Sequence, residues 1–191
     1  MSAGLVRQRR VSWLAAPGDD ILATKWIALE GTSIIAKEKE EELLRRYPLD
    51  LVRAAQRFDE YLSVLPEAAV AVRSGVSAMH DVTEGGIFGA LWEMAESSGV
   101  GLEIDLKKIP VKQETIEVCE MYGINPYELI SSGCMLMASP DGNTLIRELG
   151  KAGIHAAVIG KATAGNDRVL FNEDEKRYLE PPKVDELYKV V

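Results

Sequence analysis

Seven residues, His80-Asp81-Val82-Thr83-Glu84-Gly85-Gly86, bring an imidazole, carboxylate and hydroxyl groups and two glycines into one short stretch. Paired glycines let a backbone approach another group closely, and free N–H groups at a helix N-terminus favour an anion. A histidine there suits general acid–base work near neutral pH. A second reading competes with this one: Thr83 as a plain N-cap, with Gly85-Gly86 allowing tight strand–helix packing. Spacing alone leaves both open.

The flanking residues say which elements must position these groups. Residues 77–82 read as a short strand. Ile87, Leu91 and Ala95, with Phe88 and Met94 beside them, recur at helical spacing, so a helix follows and closes near Ser98-Gly99. Upstream, Pro17-Gly18-Asp19-Asp20 is a turn and 21–27 a first strand rich in β-favouring residues. Glu30-Gly31-Thr32-Ser33 opens a helix predicted to run to about Arg46, with Thr32 or Ser33 as its cap and the charge run 37–42 as its solvated face. Two more helices are predicted over 49–62 and 66–74, the second with proline in its first turn and Gly75 at its end.

Downstream, 101–106 alternates apolar and acidic, as a strand with one wet face does. A helix is predicted over 114–122 and a helical turn from Asn125 to Ile130. Cys134-Met135-Leu136-Met137-Ala138 is apolar throughout, the pattern of a central strand covered on both sides. A helix over 141–150, strands over 155–161 and 168–172, the last at an edge, and a short helix over 183–190 complete the reading. Helices and strands intermix without regular βαβ alternation. The predicted class is α+β, a mixed, largely antiparallel sheet carrying helices in α/β/α layers.

Composition narrows the function classes. The 191 residues are 47% apolar and 27% charged, with a formal net charge of −8. An acidic chain without a basic stripe argues against nucleic acid as a partner. Its basic cluster, Arg7, Arg9 and Arg10, reads as a solvated arm. No apolar run is long enough for a bilayer, and no signal peptide is evident, so a cytoplasmic protein is expected. Cys119 and Cys134 stand in different elements with no metal-ligand spacing, which predicts reduced buried thiols and no metal site.

The strand–turn–helix around His80-Asp81-Val82-Thr83-Glu84-Gly85-Gly86 resembles the signature of the C-terminal domain of the AIR-synthase-related (PurM-like) superfamily. Pro17 to Thr32, Ile109-Pro110-Val111, Gly123-Ile124-Asn125-Pro126-Tyr127, Ser132-Gly133 and Ile159-Gly160-Lys161 fall in the order of similar stretches in that domain. The hydrogenase-maturation HypE branch looks most alike. The resemblance implies that 17–191 is one PurM-like C-terminal domain and that 1–16 is a junction remnant or flexible arm.

It further implies the substrate-side half of an ATP-dependent enzyme that activates an oxygen by phosphoryl transfer. ATP and Mg2+ would depend on an N-terminal PurM-like ATP-binding domain as partner, in cis or in trans, and the substrate would be a small molecule or a peptide tail. Without that half, little activity is expected. The final residues, Leu187-Tyr188-Lys189-Val190-Val191, lack the tail cysteine of HypE, so HypE chemistry is not assigned. The resemblance places Asp81 and Thr83 toward phosphate or substrate, with Gly85 and Gly86 offering amides to the same anion. His80 and Asp81 are the catalytic candidates, and Thr32 is a secondary binding candidate. The alternative is a non-catalytic ligand-binding or docking module built on the same domain.

Overall fold

Seven strands and seven helices follow one another irregularly through residues 14–191, the part of the chain described by a computed structural model. In order they are β1 (Asp20–Thr24), α1 (Leu29–Glu38), α2 (Glu40–Leu44), α3 (Leu49–Gln56), α4 (Leu65–Ser74), β2 (Ala78–Asp81), α5 (Gly86–Ser98), β3 (Gly101–Asp105), α6 (Gln113–Tyr122), β4 (Met135–Ser139), α7 (Gly142–Lys151), β5 (Ala156–Thr163), β6 (Arg168–Asn172) and β7 (Glu175–Tyr178). The strands form one sheet in the order β2-β4-β1-β5-β3-β6-β7. Only the β3–β6 pair is parallel. The fold is α+β, as the sequence predicts. The predicted arm over 1–16 lies mostly outside the described residues. Ala15, at its end, is buried and donates its N–H to Ser98 Oγ at 3.0 Å.

β4 shows why the sheet needs helices on both sides. Leu136 and Ala138 pack with Ile21, Ala23, Ile87 and Leu91 on the α5 face. Met135 and Met137 pack with Leu22, Val70, Leu145 and Leu149 on the face covered by α4 and α7. Successive side chains leave a strand on opposite faces, so an uninterrupted apolar run demands two covers. A third cluster, with Ile35, Leu43, Val52, Val118, Cys119 and Leu129, joins α1, α2, α3 and α6.

Several boundaries differ from the sequence reading. The helix expected over 30–46 breaks at Lys39, whose φ of −115° and ψ of 26° leave the helical region. Glu40, Glu41 and Glu42 then occupy the first turn of α2, where carboxylates favour a fresh N-terminus. β1 stops at Thr24 because Lys25 turns the chain at φ 50°. The helix over 49–62 ends in a 3-10 turn, Arg57–Tyr61, and 183–190 contains only the 3-10 turn Glu186–Lys189. β6 is not an edge strand, because β7 pairs beyond it. All four β7 residues are exposed and carry no apolar period, which hides the strand from pattern reading.

Candidate functional site

The edge strand β2 delivers the candidate turn. His80 and Asp81 stand opposite Leu136 and Met135 of β4. Val82, fully buried, donates its N–H to Cys134 O at 3.0 Å and fixes where the turn begins. The Thr83 carbonyl accepts from Gly86 N at 3.1 Å and from Ser131 N at 3.2 Å, tying the turn to the loop before β4. Gly85 stands at φ 81° and Gly86 at φ 63°. A Cβ on Gly86 would lie 2.5 Å from Tyr127 O and 2.8 Å from Leu129 O, whereas one on Gly85 would meet nothing closer than 3.8 Å. Gly85 is therefore needed for its backbone angle, and Gly86 for both angle and space.

The amides of this turn are engaged within the chain. Gly85 N–H donates to Asp185 Oδ2 at 2.7 Å, across one hundred positions of sequence. Asp185 Oδ1 accepts from Ile130 N at 3.2 Å and Leu187 N at 2.9 Å. The carboxylate is 1% exposed. The open amide expected at Gly85 is thus filled by the chain's own anion, and the Gly86 amide is turned onto Thr83 O. What the sequence reading assigned to an incoming ligand is physically the same preference, a negative group at a helix N-terminus, satisfied internally.

The side chains of the turn look outward. Asp81 is 66% exposed at its side chain, and Thr83 and Glu84 are exposed beside it. His80 is held instead. Its Nε2 lies 2.9 Å from Glu93 Oε2 on α5, and its Nδ1 lies 2.5 Å from the Asp81 carbonyl oxygen. Both ring nitrogens therefore have oxygen partners, and Glu93 orients the ring. The sequence reading missed Glu93, which is one among many polar positions of an amphipathic helix.

Thr32 does not share this surface. The helix starts at Leu29, so Thr32 lies inside it, fully buried, with its hydroxyl donating to Thr115 Oγ1 at 3.0 Å between α1 and α6. Its expected role as a cap gives way because Ala28, at φ 58° and ψ 22°, begins the helix, its N–H held by Ser131 Oγ at 2.7 Å. At Ser132-Gly133 the close approach is to backbone: a Cβ on Gly133 would lie 2.7 Å from Tyr61 O.

Phe88, in the first turn of α5, stacks on Tyr127 with ring centroids 5.1 Å apart and planes within 7°. Trp26 stacks on His155 at 5.7 Å with Lys112 Nζ 3.8 Å from its centroid, and Trp92 lies 3.9 Å beneath the Arg168 guanidinium. Cys119 and Cys134 are free and buried, and burial pushes each thiol up to about 12. Among the described residues no group of three or more His, Cys, Asp or Glu side chains is placed to hold a metal ion, and no helix is long and apolar enough to cross a membrane.

Residues 16–172 match the family model of the AIR synthase related protein, C-terminal domain. The chain belongs to this family. The carbamoyl dehydratase HypE of Rhodobacter capsulatus is 26% identical over 168 residues, covering 86% of this chain and 44% of that protein. The crystal structure of E. coli HypE, a hydrogenase maturation protein, superposes with a TM-score of 0.75 at 23% identity, covering 94% of this chain and 55% of the other. A structure of the hydrogenase maturation protein HypE in complex with ATP superposes with a TM-score of 0.68 at 20% identity, over 94% of this chain and 55% of that one. This AIR-synthase-related domain thus spans about half the length of the relatives it matches.

Proposed function

We propose that this domain is the substrate-side half of an ATP-dependent enzyme of the AIR-synthase-related class. The observation that carries the reading is the pair of exposed polar side chains, Asp81 and Thr83, where β2 runs into α5 in a chain of this family. A HypE relative binds ATP. When bound, ATP would supply a phosphoryl group that turns a poor leaving oxygen into a good one.

The donor set fits a partial share in such a group. Magnesium keeps several waters and is commonly held by one or two carboxylates together with substrate phosphates. Asp81 offers one exposed carboxylate and Thr83 one hydroxyl. Glu84 adds negative charge, which disfavours a bare phosphate and suits a magnesium-neutralised one. The remaining ligands would come from an ATP-binding partner half. His80, oriented by Glu93, would stand beside Asp81 as the second catalytic candidate. The Gly85 amide would join an anion contact only after Asp185 withdraws, and the Gly86 amide only after its bond to Thr83 O opens.

A second reading, a non-catalytic binding or docking module, draws on one observation: the Gly85 amide is already saturated by Asp185. One experiment separates the two. The purified chain is mixed with a separately expressed N-terminal half of a HypE-type protein, and ATP turnover with magnesium is measured. The catalytic reading expects turnover that needs both parts and falls at least about a hundredfold on Asp81→Ala. Binding to that half without turnover, or turnover indifferent to Asp81→Ala, favours the module.

A further inference from the structure

Between the segment after β3, the loop before β4 and the β6–β7 hairpin, a cavity of about 510 Å³ is lined by Leu106, Lys107, Tyr127, Asn172, Glu175, Lys176 and Arg177. We propose that this cavity binds a small organic anion, a phosphate or carboxylate carried on a flat apolar body. Neither Asp81 nor Thr83 lines it, so the inference goes beyond the function proposed above and stands apart from it.

Charge is the first argument. The chain carries a net −8, yet Lys107, Lys176 and Arg177 all line this cavity, with Glu175 the one carboxylate of the lining and Glu173, in the β6–β7 turn, paired to Lys107 beside it. An anion approaching an acidic protein is repelled except where the local field reverses, and a concave wall concentrates that field. Among the described residues neither Arg177 nor Lys176 has a carboxylate oxygen within 4 Å, although the Arg177 charge is felt at Glu180. They lie over rings instead, Arg177 Cζ 5.5 Å from the Phe88 centroid and Lys176 Nζ 6.0 Å from that of Phe171. A guanidinium resting on an aromatic face keeps its edge N–H groups free for a planar or tetrahedral oxyanion.

Construction is the second argument. Phe88 is stacked on Tyr127, so the ring beneath Arg177 is braced from α5 and from the loop before β4 at once. Tyr127 is half-buried, its O–H donating to Leu106 O at 3.5 Å. Burial pushes its phenol up, while the nearby Arg177 charge pulls it down. Leu106 and Tyr127 make an apolar floor beside the cationic rim. A volume of this size is that of small-ligand sites, which pair an apolar lining with a few convergent polar groups.

A competing account is protection of the sheet edge. β7 is an edge strand, and charged residues, lysine above all, discourage strand-to-strand aggregation. It accounts for positive charge on β7. It does not account for Lys107, which arrives from a different segment after β3, or for the braced ring beneath Arg177.

The test uses phenyl phosphate and inorganic phosphate as probes, with binding followed by calorimetry and by amide chemical shifts. The expected result is saturable binding of phenyl phosphate, tighter than inorganic phosphate, weakening as salt rises. Shifts should centre on Leu106, Tyr127 and 175–177. Arg177→Gln and Lys176→Gln should each weaken binding about tenfold, while Lys39→Gln, on another face, should not. The inference is overturned if no saturable binding occurs, if both variants bind as the parent does, or if they only raise aggregation. Should Arg177→Gln fail to fold, Lys176→Gln and Lys107→Gln carry the same test.

Discussion

The Asp185 carboxylate, nearly fully buried, accepts the N–H of Gly85 at 2.7 Å, so the last segment of the chain closes the turn that begins α5. The same carboxylate also accepts from Ile130 and Leu187. A buried carboxylate without a cation is tolerable only when several donors replace its lost water. Three backbone amides do that here. The turn and the segment 180–191 are therefore one structural unit, and the geometry of Asp81 and Thr83 depends on both.

Asp185→Ala should destabilise the fold by about 3 kcal/mol, because it orphans donors that water reaches poorly. Chemical denaturation measures that loss. Amide hydrogen exchange at Gly85 gives the local readout: protected in the parent, fast in the variant. An exchange rate at Gly85 unchanged by the substitution would contradict the assignment.

The two glycines of the turn should respond unequally. Gly86→Ala forces a Cβ against the Tyr127 and Leu129 carbonyls and also imposes an unfavourable φ, so a loss of roughly 3 kcal/mol or more is expected. Gly85→Ala has room and suffers only the φ penalty, about 1 kcal/mol. Denaturation midpoints of the two single variants check the ordering, and equal losses would argue against the packed Tyr127–Leu129 loop.

The sequence makes the strand, the glycine turn and the helix after it legible, because the hydrophobic period changes from 2 to 3.6 across Gly85-Gly86. It also exposes β4 as central, since no polar residue interrupts Met135–Ala138. What it hides is long-range. Residues 183–190 read only as a short helix, and Asp185, which heads the 3-10 turn there and accepts from Leu187, goes unmarked. Nothing nearby signals that its second oxygen reaches Gly85. Thr32 fails for the converse reason: threonine among small residues looks like a cap, but burial against Thr115 is decided by where α6 packs. β7 is invisible because an exposed edge strand needs no apolar period.

Both cysteines should be silent to thiol reagents in the native state and react only on unfolding, because burial pushes each to about 12. The sign of the pH effect follows. The folded thiol keeps its proton above the unfolded value near 8.5, so the native state binds more protons than the unfolded one in that range. Their contribution is full below about pH 8.5 and declines as pH rises above it. Denaturation between roughly pH 8.5 and 10, before free tyrosines titrate, should show falling stability, flattened in a Cys119→Ala, Cys134→Ala double variant. A pH-independent parent in that window would refute the burial argument.

Lys25 and Glu67 provide the sharpest test of the frame behind β1. Lys25 Nζ donates at 2.8 Å to Glu67 Oε1, to Tyr61 O and to Ser63 O, while its backbone turns at φ 50°. Glu67 is 1% exposed, and its other oxygen has no hydrogen-bond partner. Removing the cation would strand a buried carboxylate, so Lys25→Met should cost about 3–5 kcal/mol. Removing both charges together should cost less than the sum of the single losses, because neither partner is then left alone. A double-mutant cycle with Lys25→Met and Glu67→Leu measures this directly. Strict additivity would mean that the ion pair does not bind β1 to α4, and that the two carbonyls hold Lys25 without it.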